Sequence, residues 1–405
     1  MTAATLERRP AAIIFILITV GLDMLALGVM LPVLPKLIVE FEGGAVASAA
    51  SIAGFFSFSW ATMQFLFQPV LGAVSDRFGR RPVVLISNLG LGLDYLFMAL
   101  APSLPFLYVG RLISGVSAAS FSTATAYISD VTPPERRAGR FGLLGAAFGL
   151  GFIVGPMIGG LLGDYGLRAP FYGAAALSLM NFLYGYFILP ESLAAESRSK
   201  TLSWRSANIV GALQMLGGQR ELTLIAVAVF LSYLAHDSLP SLFVLYSDYR
   251  YHWDTKTTGL ALAAVGVAQT LVSGGLVRPF VARFGERASL ALALASGALG
   301  FALYAFAPNG ALFMSGIAFI ALWGMANPSF QALATRLASA SEQGRLQGAL
   351  SSLRAVSGMI GPLLFTQIFA LSVTAGVFPG GAYFLSAVLL AASLVVARAA
   401  TARAT

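Results

Sequence analysis

Among the charged side chains of this sequence, four lie deep within long apolar stretches: Asp23, Asp94, Arg111 and Arg354. A charge at the centre of a bilayer costs from about 2.5 to well over 10 kcal/mol, so such residues usually mark ion, proton or solute pathways. Removal from water favours the protonated form of a carboxyl group, which lets a buried acid exchange protons near neutral pH. We therefore predict that Asp23 or Asp94 carries protons and that Arg111 holds the charge of the acid until it is protonated.

The same residues have simpler interpretations. Asp23 could serve only as a hydrogen-bonding group between packed helices, and Arg111 could extend to the outer surface of the membrane. Arg354 is predicted either to pair with an acid of the other half of the chain or to contact a solute.

Further polar side chains in the apolar stretches are candidates for binding a small molecule. They are Gln64, Gln68, His236, Asp237, Gln269, Asn327 and Gln331. Together with Arg354, they are predicted to line a polar cavity. The alternative for the amides is hydrogen bonding between helices, worth about 1 kcal/mol each, and for His236 it is a position at the membrane interface.

Groups needed for catalysis or cofactor binding are scarce. The sequence has no cysteine, which excludes disulfides, zinc-thiolate sites and iron–sulfur sites. Its two histidines, His236 and His252, are 16 residues apart and belong to no recognisable nucleophile or metal set. No lysine follows a glycine, as a phosphate-binding loop requires. An intramembrane enzyme is therefore disfavoured, and we expect no cofactor and no metal.

The composition is that of a membrane protein. Hydrophobic residues make up 58% of the 405 residues and charged residues only 10%, against about 25% charged in soluble domains. A helix needs about 20 apolar residues to cross a bilayer, whereas the strands of membrane barrels are short and alternating. Twelve long apolar runs lie near residues 11–39, 46–75, 82–101, 104–129, 138–163, 169–189, 221–246, 257–284, 288–307, 311–338, 346–372 and 377–397.

The basic residues fall mainly on one side of these runs. Of the 25 Lys and Arg, nineteen lie in the tails, in alternate loops or at the run ends beside them, four lie on the opposite side, and two lie deep within runs. Because cytoplasmic loops carry the excess of positive charge, both termini are predicted to be cytoplasmic. The net charge of +8 is spread over short loops, unlike the soluble basic face of a nucleic-acid-binding domain. The first run is too long for a signal peptide and is predicted to be a span.

Several sequence markers recur at one offset, which indicates a duplication. Residues 76–81 match residues 282–287, and a Gly-Pro pair at 155–156 also recurs 206 residues later. Paired repeats around a site near the membrane midplane are typical of secondary transporters. The predicted domains are an N-terminal six-helix bundle at 1–190, a cytoplasmic linker at 191–219 and a C-terminal six-helix bundle at 220–405.

The loop after the second run, residues 72–82, has the features of a tight, charged turn. Gly79 can adopt a positive φ, and Asp76 can accept hydrogen bonds from a helix N-terminus or pair with an arginine. We predict a charge latch that opens when the two halves move, and the alternative is an ordinary cytoplasmic turn. The residues assigned to the latch are Gly72, Asp76, Arg77, Gly79, Arg80 and Arg81.

The fifth run is rich in glycine between residues 145 and 160. Small residues let helices approach closely, and Gly155 followed by Pro156 favours a kink. A nucleotide-binding loop is excluded, because no soluble strand precedes the segment and the G-x-G-x-x-G spacing is absent. We predict a closely packed hinge between the halves, with ordinary helix packing as the alternative.

These segments resemble motifs of the major facilitator superfamily, in particular its drug/proton antiporter branch. The motifs are the loop at 72–82, the arginine motif at 108–115 and the glycine-rich fifth run. Within that branch, residues 23–35, 93–96 and 361–366 are similar to the tetracycline-resistance efflux proteins. The resemblance implies an all-α membrane protein with twelve transmembrane helices in two six-helix bundles.

The resemblance also implies a function: export of a small molecule across the inner membrane, coupled to inward proton flow. In the resembled family, acids at the positions of Asp23 and Asp94 handle substrate and protons. We expect a monomer. The sequence departs from the tetracycline exporters at Ser296, where they carry an acid, and at Arg354, where the family is usually uncharged. The favoured function is a proton-coupled exporter of a small amphiphilic drug or metabolite. The alternative is an uptake symporter or facilitator for a small solute, anions included.

Overall fold

The computed structural model describes residues 3–118, 120–199, 216–217, 219–339 and 342–401 of the chain. Most of these residues are helical, and no strand occurs among them. Residues 200–215 and 218 of the predicted linker lie outside the described residues, so the linker stays a prediction.

The first six apolar runs form helices whose limits agree with the sequence to within a few residues, apart from an α1 that begins eight residues earlier than predicted and short breaks in the first and fourth runs. A positive φ of 105° at Gly79 separates the second run from the third, a conformation that glycine adopts without strain. The helices are α1 (Ala3–Met30), α2 (Leu34–Phe41), α3 (Val46–Phe78), α4 (Arg80–Ala99), α5 (Leu104–Ser117), α6 (Ser120–Val131), α7 (Pro134–Gly163) and α8 (Ala169–Ile188).

The last six runs form a second series of helices. One of its starts is capped: the Asn309 side chain accepts a hydrogen bond of 3.0 Å from the Leu312 backbone N–H, which satisfies a donor that the helix itself leaves free. The helices are α9 (Arg220–Tyr251), α10 (Thr255–Leu271), α11 (Val277–Phe306), α12 (Gly310–Trp323), α13 (Ala326–Leu337), α14 (Gln343–Thr374) and α15 (Gly381–Thr401). A π-helical turn, Val272–Leu276, joins α10 to α11.

The described residues contain eleven continuous helical segments that are long and apolar enough to cross a membrane. One of these segments is long enough to cross it twice. That segment, Thr255–Phe306, has 52 residues and would be about 78 Å long as a straight helix, against a hydrocarbon core of about 30 Å. Gly285 breaks it with non-helical backbone angles, φ 77° and ψ 167°. The segment therefore supplies spans eight and nine, and the fold has the twelve transmembrane helices that the sequence predicts.

The chain forms two compact units. Unit 1 comprises Met1–Leu37, Ser59–Ala207 and Asp254–Ala263. Within it, α1 packs against α7 and α8, while α4 packs against α8 and α5. These helices hold Asp23, Asp94 and Arg111.

Unit 2 comprises Ile38–Phe58, Asn208–Trp253 and Ala264–Thr405. Within it, α9 packs against α14 and α15, and α11 packs against α12 and α15. The domain limits 1–190 and 220–405 follow the sequence repeat rather than these contacts, and they stay a prediction.

Large apolar side chains cover the outside of both units. Ile86 is 70% exposed in unit 1, and Val395 is 68% exposed in unit 2. Such surfaces are unfavourable in water but match lipid, where helix association depends on close packing and hydrogen bonds rather than on burial of apolar area. The protein is thus a multi-pass membrane protein.

Candidate functional site

A buried acid and a buried arginine lie on adjacent helices of unit 1. Asp94, on α4, is 2% exposed, and Arg111, on α5, is 8% exposed. Neither carboxylate oxygen of Asp94, nor Nε of Arg111, makes a hydrogen bond with any described group. The two side chains interact electrostatically, and the Arg111 guanidinium carbon lies 5.2 Å from the Trp60 ring centroid.

The packing of α4 against α5 sets this geometry. Gly110 lies so close to α4 that a Cβ atom there would be 2.3 Å from Cγ of Met98 and 3.1 Å from Oδ1 of Asp94. A carboxylate that is buried without hydrogen bonds is costly, and uptake of a proton removes that charge. The site can therefore bind and release a proton, with Arg111 as the nearby fixed cation.

Asp23 has a different environment. It is 6% exposed on α1, and its Oδ1 accepts a hydrogen bond of 2.8 Å from Nδ2 of Asn181 on α8. With the Asn88 amide oriented so that its nitrogen faces Asp23, that nitrogen donates at 3.1 and 3.2 Å to the two carboxylate oxygens. The acid thus links α1, α4 and α8, which supports the packing alternative for Asp23 and makes Asp94 the stronger candidate for a proton carrier.

The charged turn at the end of span two forms ion pairs and hydrogen bonds within unit 1, and these include two acids that sequence motifs did not indicate. A latch that opens when the two halves move stays a prediction. Nε of Arg80 donates to Oδ2 of Asp130 at 3.1 Å, and Arg80 also pairs with Asp76. Glu191 accepts hydrogen bonds from the backbone N–H groups of Arg80 and Arg81 at 2.9 and 3.2 Å. The carboxylate therefore caps α4 from the far end of the six-helix repeat.

The other predicted latch residues have different roles. A Cβ atom at Gly79 would lie 2.3 Å from Oε2 of Glu191, so a side chain there would displace this carboxylate in addition to straining the positive φ. Arg81 donates to the Tyr186 carbonyl, and the Arg77 guanidinium carbon lies 5.3 Å from the ring centroid of its neighbour Phe78. No atom of the described residues lies within 4 Å of the position that a Cβ would take at Gly72, so these residues give it no packing role.

Removing the charge of Glu191 tests the latch. A hydrogen bond to a charged group contributes about 1.5–3 kcal/mol, so Glu191→Gln is expected to lower the thermal unfolding temperature and to slow transport roughly tenfold, a change that corresponds to about 1.4 kcal/mol. Glu196→Gln, which changes an exposed acid nearby, is the control and should match the wild-type rate. Wild-type transport by Glu191→Gln would exclude a role for this contact in gating.

The glycines of span five lie along a helix contact within unit 1. Cβ atoms at Gly155 and Gly159 would be 2.6 Å from Cα of Gly28 and 2.0 Å from the Val29 carbonyl oxygen. The Pro156 carbonyl oxygen would lie 2.3 Å from a Cβ at Gly259. Backbone-to-backbone contact of this kind supports the prediction of close packing, and hinge motion at Gly155 and Pro156 stays a prediction.

Unit 2 contains a cavity of about 280 Å³, at the small end of the range for small-molecule sites. It brings together His236, Gln269, Asn327 and Arg354 of the predicted polar set. The remaining described lining residues are Ser232, Tyr233, Ser273, Trp323, Gly324, Ala326 and Phe330. Of these, Ser273 belongs to the π-helical turn of span eight, a type of irregularity that is frequent at functional sites.

A hydrogen-bonded ion pair lies at the wall of this cavity. Nη1 of Arg354 donates to Oδ1 of Asp237 at 3.0 Å, and the Ser357 hydroxyl donates to Oδ2 of Asp237 at 2.6 Å. Gly361 leaves room for the acid, since a Cβ there would lie 2.5 Å from Cβ of Asp237. The hypothesis that Arg354 pairs with an acid of the other half is therefore wrong: its partner is in the same half, because α9 packs against α14.

Three predicted amides are not among the cavity-lining residues. Gln331 accepts a hydrogen bond of 2.9 Å from Gln347, which agrees with the helix-packing alternative. Gln64 is half-buried and Gln68 exposed, both on the part of α3 that belongs to unit 1. The aromatic lining residues, by contrast, were not predicted, because aromatic residues in apolar runs give no sequence signal for a cavity.

A comparison of the sequence with known protein families identifies the family of this chain. Residues 13–362 match the sequence model described as Major Facilitator Superfamily. The chain belongs to this superfamily. The matched family is one of transporters, and the resemblance inferred from the loop, arginine and glycine motifs is confirmed.

This member of the superfamily has relatives that align over nearly its whole length. It is 39% identical to the tetracycline resistance protein, class C, of Escherichia coli, with 97% of this chain and 98% of the relative covered. It is 37% identical to the class G tetracycline resistance protein of Vibrio anguillarum, with 96% and 98% covered. The crystal structure of the nucleoside transporter NupG is similar with a TM-score of 0.75 at 16% identity, over 96% of this chain and 98% of that one, which supports the fold alone.

Proposed function

We propose that this transporter exports a small amphiphilic drug or metabolite, in line with its similarity to tetracycline resistance proteins, and that export is driven by inward proton flow. The observation that supports export most directly is the 39% identity to a tetracycline resistance protein over 97% of the chain. Uptake on the same fold is the less favoured function, because the relatives at 39% and 37% identity are tetracycline resistance proteins.

In this proposal the two units have different roles. Asp94 binds the proton in unit 1, with Arg111 as its fixed counter-charge and Asp23 as a polar link between helices. The cavity in unit 2 contacts the solute through His236, Gln269, Asn327 and Arg354, with Asp237 behind Arg354. The Arg80 latch and the Gly155-Pro156 segment control the change of conformation.

The proposed setting is the inner membrane, with both termini in the cytoplasm and the protein acting as a monomer. The charge distribution supports this orientation, because the segment after span two carries Arg77, Arg80 and Arg81 and positive loops stay cytoplasmic. The proposal needs no cofactor, since a proton that crosses 100 mV supplies about 2.3 kcal/mol.

Transport into everted membrane vesicles tests the direction and the driving force. A growth-inhibition panel with and without expression first selects a compound, with tetracycline included. We expect wild-type vesicles to accumulate that compound when their lumen is acidified, and a protonophore to abolish the accumulation. Vesicles without the protein are the control. Loss of the compound from the lumen under the same gradient would establish uptake instead and contradict the proposal.

A further inference from the structure

The cavity of unit 2 has one cationic side chain and no carboxylate among its described lining residues. Arg354 is 41% exposed at its side chain, whereas its partner Asp237 is only 6% exposed and is not part of the lining. A ligand in the cavity therefore meets a guanidinium group, while the neutralising acid stays behind it.

The guanidinium group has hydrogen-bonding capacity left over. An arginine has five N–H donors. Nη1 of Arg354 donates to Asp237 and, at 3.5 Å, to the Tyr233 carbonyl, and Nη2 lies 3.4 Å from Nδ1 of His236. Nε and one Nη2 hydrogen have no acceptor among the described residues. Planar oxygen anions such as carboxylates match this arrangement of donors.

The rest of the lining suits an aromatic body. The Arg354 guanidinium carbon lies 5.4 Å from the Tyr233 ring centroid, and Trp323 and Phe330 contribute further aromatic surface. Asn327 is held in place, since its Oδ1 accepts a hydrogen bond of 3.2 Å from the Tyr233 hydroxyl. Apolar walls with a few fixed polar groups are typical of small-molecule sites.

We propose that this cavity binds the anionic oxygen group of an aromatic solute, with Arg354 as the residue that recognises the anion and Asp237 as the internal carboxylate that the anion competes with. Both oxygens of Asp237 are already occupied, one by Arg354 and the other by Ser357. Asp237 therefore keeps Arg354 paired when no ligand is bound, and a ligand anion takes over part of that pairing. For the exporter proposed above, on which this step rests, the solute class is an aromatic carboxylate.

Binding of three probes with one aromatic body tests the proposal without any mutation. The purified full-length protein in detergent is titrated by calorimetry with 1-naphthoate, with neutral 1-naphthamide and with cationic 1-naphthylmethylammonium. We expect 1-naphthoate to bind at least about tenfold more tightly than the amide, a difference of about 1.4 kcal/mol. Equal affinities, or tightest binding of the ammonium compound, would overturn the proposal.

Two substitutions separate recognition from a structural role of the ion pair. Arg354→Gln should remove the preference for 1-naphthoate over the amide, whereas Arg336→Gln, which changes a more exposed arginine of the same unit, should retain it. Asp237→Asn should increase the affinity for 1-naphthoate at least about threefold, because Arg354 loses its internal competitor. A pair that only holds α9 against α14 would instead give weaker binding in both Arg354→Gln and Asp237→Asn, with both proteins less stable in thermal unfolding.

The two proposals can fail separately. Proton-driven export of the selected compound without a preference for 1-naphthoate would sink this inference and leave the exporter intact. A clear preference for 1-naphthoate, in a protein whose vesicles show no proton-driven export, would contradict the proposed function. The inference of an anion-binding cavity would then still hold.

Discussion

Asp94→Asn is expected to abolish uphill export while leaving the protein folded in the membrane. Asparagine has nearly the same shape as aspartic acid but cannot take up the proton, and the Asp94 carboxylate makes no hydrogen bond with a described group that the change would break. A proton crossing 100 mV supplies about 2.3 kcal/mol, and each tenfold concentration ratio needs about 1.4 kcal/mol. The steady-state accumulation should therefore fall by up to about fortyfold.

The measurement is accumulation in everted vesicles at matched expression, with and without a protonophore. Asp164→Asn is the control, since this exposed acid follows α7 at its C-terminal cap and should leave accumulation unchanged. Accumulation by Asp94→Asn that still responds to the protonophore would remove Asp94 from the proton pathway and direct attention to Asp23.

A single methyl group at Gly155 or Gly159 is the second change with a large expected effect. A Cβ there would lie within 2.6 Å of Cα of Gly28, or 2.0 Å from the carbonyl oxygen of Val29. Because these are backbone atoms, no side-chain rotation relieves the overlap, and α7 must move away from α1. Overpacking of this kind costs about 1–3 kcal/mol, so Gly155→Ala and Gly159→Ala should lower the unfolding temperature and reduce export more than about tenfold.

The same helix supplies matched controls. Gly145 and Gly149 have nothing within 4 Å of the position a Cβ would take, so Gly145→Ala and Gly149→Ala should retain stability and export. Equal behaviour of all four alanine variants in thermal unfolding and vesicle transport would show that the contact between α7 and α1 does not limit either property.

Hydropathy and spacing were sufficient to predict the number and positions of the spans and the backbone of the turn after span two. Length and apolar composition fix where a span occurs, and the break at Gly285 falls between the eighth and ninth predicted runs. Gly79 likewise has the positive φ that its place in a tight turn suggested. These features depend on residues near one another in the sequence, which is why the sequence reveals them.

Contacts between distant residues were less accessible from the sequence. Glu191 lies 111 residues from Arg80, and nothing near either residue indicates that the acid caps α4. One of the two alternatives for Arg354 placed its partner in the other half, yet the partner is Asp237, 117 residues earlier in the same half. Likewise, Asn88 and Asn181 around Asp23 are polar residues in apolar helices, a signal that was present but did not specify their partner.

Proton movement during transport of the exported compound tests the central claim most directly. Purified protein is reconstituted into liposomes that contain a pH-sensitive dye, at equal pH on both sides, and the compound selected by the growth panel is added outside. We predict that the compound enters as protons leave, so the interior becomes more alkaline with wild-type protein and does not change with Asp94→Asn or in protein-free liposomes. Entry of the compound with acidification of the interior, or with no proton movement, would contradict the claim that export is coupled to a proton carried by Asp94 of unit 1.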